Sequence, residues 1–192
     1  MIQSIGITMR QRLLAIASLS FIVTLAYAAV QWNMQPKESQ LTFVGTQAGA
    51  PLEGKFEKFT ADVKFDPKDL ATSRVEVEID MTSVNTRDGE RDSALKGADL
   101  FSVKQFPSAQ FIAEKFTDKG KGQYTATGKL TIRNVTKNVP IEFTFEPKGT
   151  DAWLKGSTAI ERLEFGVGQG DWKDTETVAN EVKVKFALLL KQ

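Results

Sequence analysis

The feature that most restricts what this chain can fold into is its alternation of apolar and polar residues at period two. In Arg74-Val75-Glu76-Val77-Glu78-Ile79-Asp80 every second residue is apolar and every other one is charged. Successive side chains on a strand point to opposite faces, so such a stretch buries one face and wets the other. The alternation returns at Phe59, Ala61, Val63 and Phe65, at Val139, Ile141, Phe143 and Phe145, and at Val182, Val184, Phe186, Leu188 and Leu190. Shorter signals lie at Leu41-Phe43, Phe111-Ala113, Leu130-Ile132 and Leu163-Phe165-Val167. These eight segments are separated by turn-rich stretches such as Asp66-Pro67-Lys68-Asp69 and Glu146-Pro147-Lys148-Gly149, a pattern that predicts an antiparallel sandwich or barrel.

Two segments depart from the pattern. Between Asp88 and Ala98 there are no β-branched residues, and Ala94, Leu95, Ala98 and Phe101 recur at helical spacing. One short α-helix is predicted there, entered near Thr86 to Asp88, with acidic residues in its first turn where they suit the dipole. Its expected role is to plug an open end of the sheet system. At the other extreme, the uncharged run Leu13 to Leu25 follows Arg10 and Arg12 and precedes Ala26-Tyr27-Ala28. That layout is expected of a cleavable secretory signal over residues 1–28, leaving residues 29–192 as one domain. The run is shorter than the roughly 18 residues that a membrane-spanning helix needs. Met9 offers an alternative start directly ahead of the two arginines.

Composition then removes whole classes of function. The chain has no cysteine and no histidine, which excludes disulfides, thiolate or His-based catalytic pairs, and sites held by imidazole or Cys. With 25 Lys plus Arg against 24 Asp plus Glu, it lacks the basic surplus of a nucleic-acid binder. All of its 13 phenylalanines except Phe21 lie beyond residue 28. Phe buries area without a hydroxyl in need of a partner, so a large dry interior is expected. That interior is either a packed core or an elongated cavity for a hydrophobic ligand, and composition leaves both open.

Several blocks in order carry a resemblance: Gly54-x-Phe56 with Phe65-Asp66-Pro67; Ile79-Asp80 with Ser83-Val84; Arg91-Asp92 with Leu95; Phe101 with Phe106-Pro107; Gly128-x-Leu130-Thr131-Ile132; and Phe165-Gly166-Val167. In these blocks the chain resembles the YceI family from about Trp32 to Gln192. The resemblance implies a mainly β fold, an antiparallel eight-stranded lipocalin-like β-barrel with one short α-helix. It also implies a secreted, periplasmic protein that binds or carries an isoprenoid lipid or quinone. A membrane b-type cytochrome or respiratory partner and a homodimer are compatible with it. The expected tunnel lining is Phe43, Phe56, Phe59, Val63, Phe65, Val77, Ile79, Phe111, Leu130, Ile132, Ile141, Phe143 and Phe165. Lys55, Lys58, Arg91 and Lys96 are candidates for a polar entrance. Family members commonly carry histidines near the first strand, where this chain has Glu38 and Thr46, so no head-group or metal role transfers from them.

Local physics suggests roles for some of these residues. Gly54 is expected to ease a sharp entry into a strand, Pro107 to hold Phe106 extended on leaving the helical segment, and Asn134 to take the left-handed turn position before Val135. The apolar residues on both faces of Phe186-Ala187-Leu188-Leu189-Leu190 suggest cover by a second subunit or by the sheet system itself. Besides the carrier, two functions remain: a structural or partner-binding exported barrel with a closed core, and an enzyme working through Asp171, Asp174 and Glu176. No metal, cofactor or catalytic set is expected.

Overall fold

The computed structural model describes residues 30–192; the leader expected over residues 1–28 lies outside them. The strands are β1 (Gln31–Met34), β2 (Gln40–Gln47), β3 (Ala50–Phe56), β4 (Phe59–Lys64), β5 (Arg74–Asp80), β6 (Val84–Asn85), β7 (Ser108–Gly120), β8 (Gln123–Ile132), β9 (Val135–Lys148), β10 (Asp151–Glu161) and β11 (Glu181–Lys191). They form one sheet in the order β1-β4-β5-β7-β8-β9-β10-β11-β2-β3-β6, closed by a further pairing of β1 with β11. Every pairing is antiparallel.

Three staves of this barrel are each built from two segments. β11 pairs with β1 through Leu190 and Lys191 and with β2 through Lys183 to Ala187, so β1 and β2 occupy one position in the ring. In the same way β4 pairs with β1 while β3 pairs with β2, and β5 pairs with β4 while β6 pairs with β3. Counted by position, the result is a closed eight-stranded antiparallel β-barrel with a single α-helix among the described residues. Closure leaves no long unpaired edge.

Serines carry the ladder across two of the breaks. At the first, where Pro36 has no N–H to offer, Gln35 N donates to Leu189 O at 2.8 Å and Leu189 N donates to the Ser39 hydroxyl at 3.1 Å. At the second, Glu57 N and Lys58 N donate to the carbonyl and hydroxyl of Ser83 at 3.1 and 3.0 Å. These bonds give backbone groups at the bends the partners that a continuous ladder would have supplied.

The strong alternations are strands, facing inward as their pattern requires. The segment Leu163 to Val167 is not. Arg162–Phe165 form a 3-10 turn stopped by Gly166 at φ +70°, a left-handed position that glycine takes without steric cost. Phe165, 1% exposed, is buried in this turn. The missing stave is β10, whose inward series Ala152, Leu154, Gly156, Thr158 and Ile160 is too weakly apolar to read as a strand. β7 contains a bulge between Ala113 and Lys115. The extra residue switches the inward parity from Ala109, Phe111 and Ala113 to Phe116.

The helix α1 (Gly89–Lys96) begins as expected. The Asp88 carboxylate accepts from Glu90 N and Arg91 N at 3.1 and 3.0 Å, and these backbone bonds, the one from Arg91 first, hold its pKa below the ordinary value. Pro107 leads directly into β7, as expected. Two local expectations are corrected. The left-handed residue between β8 and β9 is Arg133 (φ 56°), not Asn134. Arg133 is held there because its Nη1 donates to the carbonyls of Ala98, Leu100 and Gly166 at 3.1, 2.6 and 3.0 Å. Gly54 lies within β3 and makes no sharp turn; it is paired opposite Phe43.

Candidate ligand cavity

One end of the barrel is solid. Phe65 packs edge-on against Phe116, Tyr124, Phe143 and Phe145, with ring centroids 4.9 to 5.5 Å apart. Trp32 meets Phe145 at 5.3 Å and its indole N–H donates to Phe65 O at 2.9 Å. Edge-to-face rings at these spacings fill space closely, and Phe65 and Val63 are fully buried.

Above this floor the barrel is hollow. A predominantly apolar cavity of about 540 Å³ runs from Phe116 and Phe143 to a mouth formed by Gln47, Asp88, Glu90 and Arg91, within the range of about 300–1,000 Å³ usual for ligand sites. Ten residues expected in the tunnel wall line it: Phe43, Phe56, Phe59, Val77, Ile79, Phe111, Leu130, Ile132, Ile141 and Phe143. Val63, Phe65 and Phe165 do not. The first two belong to the floor side of the core, and Phe165 follows the turn out of β10 instead of a strand. Val77, Ile79, Ile141, Val184 and Phe186 point inward yet are only half-buried, because they face the void.

Glycines explain how a barrel rich in phenylalanine stays hollow. A β-carbon on Gly54 would lie 2.3 Å from the Phe43 ring, one on Gly128 would lie 2.4 Å from Phe111, and one on Gly156 would lie 2.5 Å from Phe186. Each ring therefore packs against a glycine of a nearby strand, in the space a β-carbon would fill. The rings coat the wall instead of crossing the lumen.

The helix and two loops close down on the mouth. Ala94 and Leu95 of α1, Leu100 and Phe101 behind it, and Trp172 and Val178 from the loop after β10 all line the cavity. The loops are joined by Gly168 N and Gln169 N donating to Asp99 O at 2.9 and 2.8 Å, and by the three Arg133 bonds. Of the candidate entrance cations only Arg91 lines the cavity; Lys55 pairs outside it with Glu57 at 3.2 Å. Asp88 faces Arg91 at 3.5 Å.

Trp172 and Arg162 are among the lining residues that carry no recognisable signal in the sequence. Trp172 sits in a Gly-rich stretch without periodicity. Arg162, 4% exposed, continues the even-numbered inward series of β10 one step past the strand. Its guanidinium donates to the carbonyls of Val167, Ala179 and Val178 at 3.0, 3.0 and 2.6 Å, and burial lowers its pKa. The acidic group Asp171, Asp174 and Glu176 is exposed and lines no part of the cavity. Asp174 there accepts from the Thr177 hydroxyl at 2.5 Å and Glu176 N at 3.0 Å, as a turn cap.

Comparison with known proteins agrees with this architecture. Residues 32–190 match the YceI-like domain. A UPF0312 protein of Vibrio parahaemolyticus is 33% identical over 141 residues, 69% of this chain and 75% of the relative. The crystal structure of Burkholderia cenocepacia BcnA superimposes with a TM-score of 0.80 at 36% identity, covering 82% of this chain and 99% of that one. A polyisoprenoid binding domain from Saccharophagus degradans, implicated in plant cell wall breakdown, shares the fold with a TM-score of 0.65 at 12% identity, covering 83% and 97%. By its matched domain, its relatives and its hollow eight-stranded barrel, the chain belongs to the YceI-like family.

Proposed function

We propose that this protein binds one chain of an isoprenoid lipid or quinone in its barrel and carries it through the bacterial periplasm. The observation that carries this reading is the predominantly apolar cavity of about 540 Å³, with a solid aromatic floor at one end and residues of α1 lining the other. At about 24 cal/mol per Å³ a dry void of that size would cost on the order of 13 kcal/mol, comparable to the whole stability of a domain. A closed structural barrel would gain nothing by maintaining it. Each buried methylene is worth about 0.8 kcal/mol, so one five-carbon isoprene unit contributes about 4 kcal/mol gross. Two or three units, about 8–12 kcal/mol gross, match the middle of the roughly 4–15 kcal/mol lost on association, and four units exceed it. The polyisoprenoid-binding description of the Saccharophagus degradans domain supports the same ligand class, and the basic, apolar, small-residue order over residues 1–28 supports export.

The test is organic extraction of protein purified from a bacterial periplasm, followed by mass spectrometry. A stoichiometric prenyl-chain species is the expected result. A clean extract, together with no saturable binding of added prenols, would overturn the reading.

A further inference from the structure

Arg162 stands out as a deeply buried cation in a predominantly apolar wall. It points inward on the same face of its strand as Leu154, Thr158 and Ile160, all of which line the cavity, and it lies at the mouth end, away from the Phe65 floor. It is 4% exposed, and among the described residues no carboxylate forms an ion pair with it. Its three hydrogen bonds all go to neutral main-chain carbonyls. A guanidinium has five N–H groups, so one on each Nη is left over. Carbonyl dipoles solvate a cation but do not neutralise it, and an uncompensated buried charge is costly.

The surrounding backbone is shaped to hold this group. A β-carbon on Gly168, at φ +119°, would lie 2.0 Å from Arg162 Nη1. Only glycine admits both that geometry and that contact. The charges at the mouth, by contrast, include their own counter-ions: Arg91 faces Asp88 and lies beside Glu90.

We propose that Arg162 is the head-group contact of the cavity and selects amphiphiles whose apolar chain ends in an anionic oxygen group, a phosphate or a carboxylate. The inference rests on the reading of the cavity as a lipid site and adds polarity to it: tail toward Phe116 and Phe143, head toward Arg162. Two free N–H groups on a planar fork suit paired oxygens, and a charge-assisted bond is strongest where water is excluded.

The test compares probes of matched chain with neutral and charged ends, farnesol against farnesyl monophosphate and hexadecanol against palmitate, each displacing the neutral dye Nile red. Wild type is expected to take the anionic member of each pair about tenfold or more tightly. Comparing the phosphate arm with the carboxylate arm shows which head the site favours. Arg162→Gln is expected to erase the preference while leaving the neutral probes bound; Arg91→Gln is expected to keep it. In a co-crystal with farnesyl monophosphate the phosphate is expected within hydrogen-bond distance of the Arg162 Nη atoms, a result that does not depend on how Arg162→Gln folds. Equal binding of charged and neutral probes, loss of the preference in Arg91→Gln alone, or a phosphate seated at Arg91 would overturn the inference and leave the carrier reading standing. Failure of all four probes to displace the dye would overturn both.

Discussion

Replacing Gly54 and Gly156 by alanine, one at a time, separates a hollow barrel from a filled one, because the same added methyl meets different neighbours. At Gly54 the new β-carbon would fall 2.3 Å from Cζ of Phe43, and the three nearest atoms all belong to that ring. Carbon atoms in contact sit about 3.5–4.0 Å apart, so the ring edge must withdraw by roughly 1.2–1.7 Å. Phe43 lines the cavity and can move into it. The strained rotamer costs about 0.5–1.5 kcal/mol, and the lost freedom of the unfolded chain returns about 0.4–1 kcal/mol. The net change is therefore within about 1 kcal/mol, or about 2–4 °C in Tm. At Gly156 the β-carbon would lie 2.4 Å from the Glu142 carbonyl oxygen and 2.8 Å from the Phe143 β-carbon. Those atoms belong to or sit next to the β9 main chain, paired with β10 on either side of the site, and they cannot yield without opening the ladder. Here the cost is expected near 3 kcal/mol, about 6–12 °C. Urea unfolding measures both, and dye titration of Gly54→Ala should show weakened binding as the ring takes up lumen. Equal destabilisation by the two substitutions would refute the argument, since it would mean Phe43 has nowhere to go.

Other perturbations probe the floor, the lid and the cap. Phe65→Ala is expected to cost about 3–5 kcal/mol in urea unfolding and to deepen the cavity, so that the prenol chain length bound best increases; an unchanged optimum would show that the floor does not limit the tail. Arg133→Met removes three bonds to the carbonyls of Ala98, Leu100 and Gly166 and is expected to cost on the order of 2 kcal/mol, with faster amide exchange over residues 97–107 and 162–180 and faster ligand release. The Asp88 carboxylate, its pKa lowered chiefly by the Arg91 N–H and also by the Glu90 N–H, stabilises α1 fully above its ordinary pKa of about 3.8. That contribution is lost as pH falls through the lower folded value. Protection of the α1 amides, relative to their intrinsic exchange rates, should therefore fall below about pH 4 in wild type and be flatter with pH in Asp88→Asn.

Much of the barrel was legible because a strand buried on one side writes its register into the sequence. The inward residues of β5, β9 and β11 follow the expected parity, and α1 starts at the acidic cap expected for it. Legibility failed where burial does not need a large apolar side chain. β10 places Gly156, Ser157 and Thr158 in its middle, so its period is invisible, while Leu163, Phe165 and Val167 imitate one over a 3-10 turn. The bulge in β7 could not be anticipated either, because one inserted residue exchanges the two faces of everything after it. Where the parity is strong, most of the residues expected in the tunnel wall line the cavity. Val63 and Phe65 have the correct parity but the wrong depth, and depth along a barrel is set by stagger between strands, which no single strand encodes. Arg162 carries no such signal because it lies just beyond β10, whose period is invisible.

Whether phenylalanines fill a barrel or coat it depends on what stands opposite them. At the floor, Phe65 meets Phe116, Tyr124, Phe143 and Phe145, and rings that meet rings close the lumen. Higher up, Phe43, Phe111 and Phe186 meet Gly54, Gly128 and Gly156, and each ring turns along the wall and leaves the axis open. The same residue type thus makes a solid base and a hollow chamber in one barrel, with the boundary at Phe116 and Phe143, which belong to both. Composition counts phenylalanines without their partners and so cannot distinguish the two outcomes. The cross-strand contact of a large ring with a residue that has no side chain can, and it makes the void a built feature of this sequence that any ligand must match in length and apolarity.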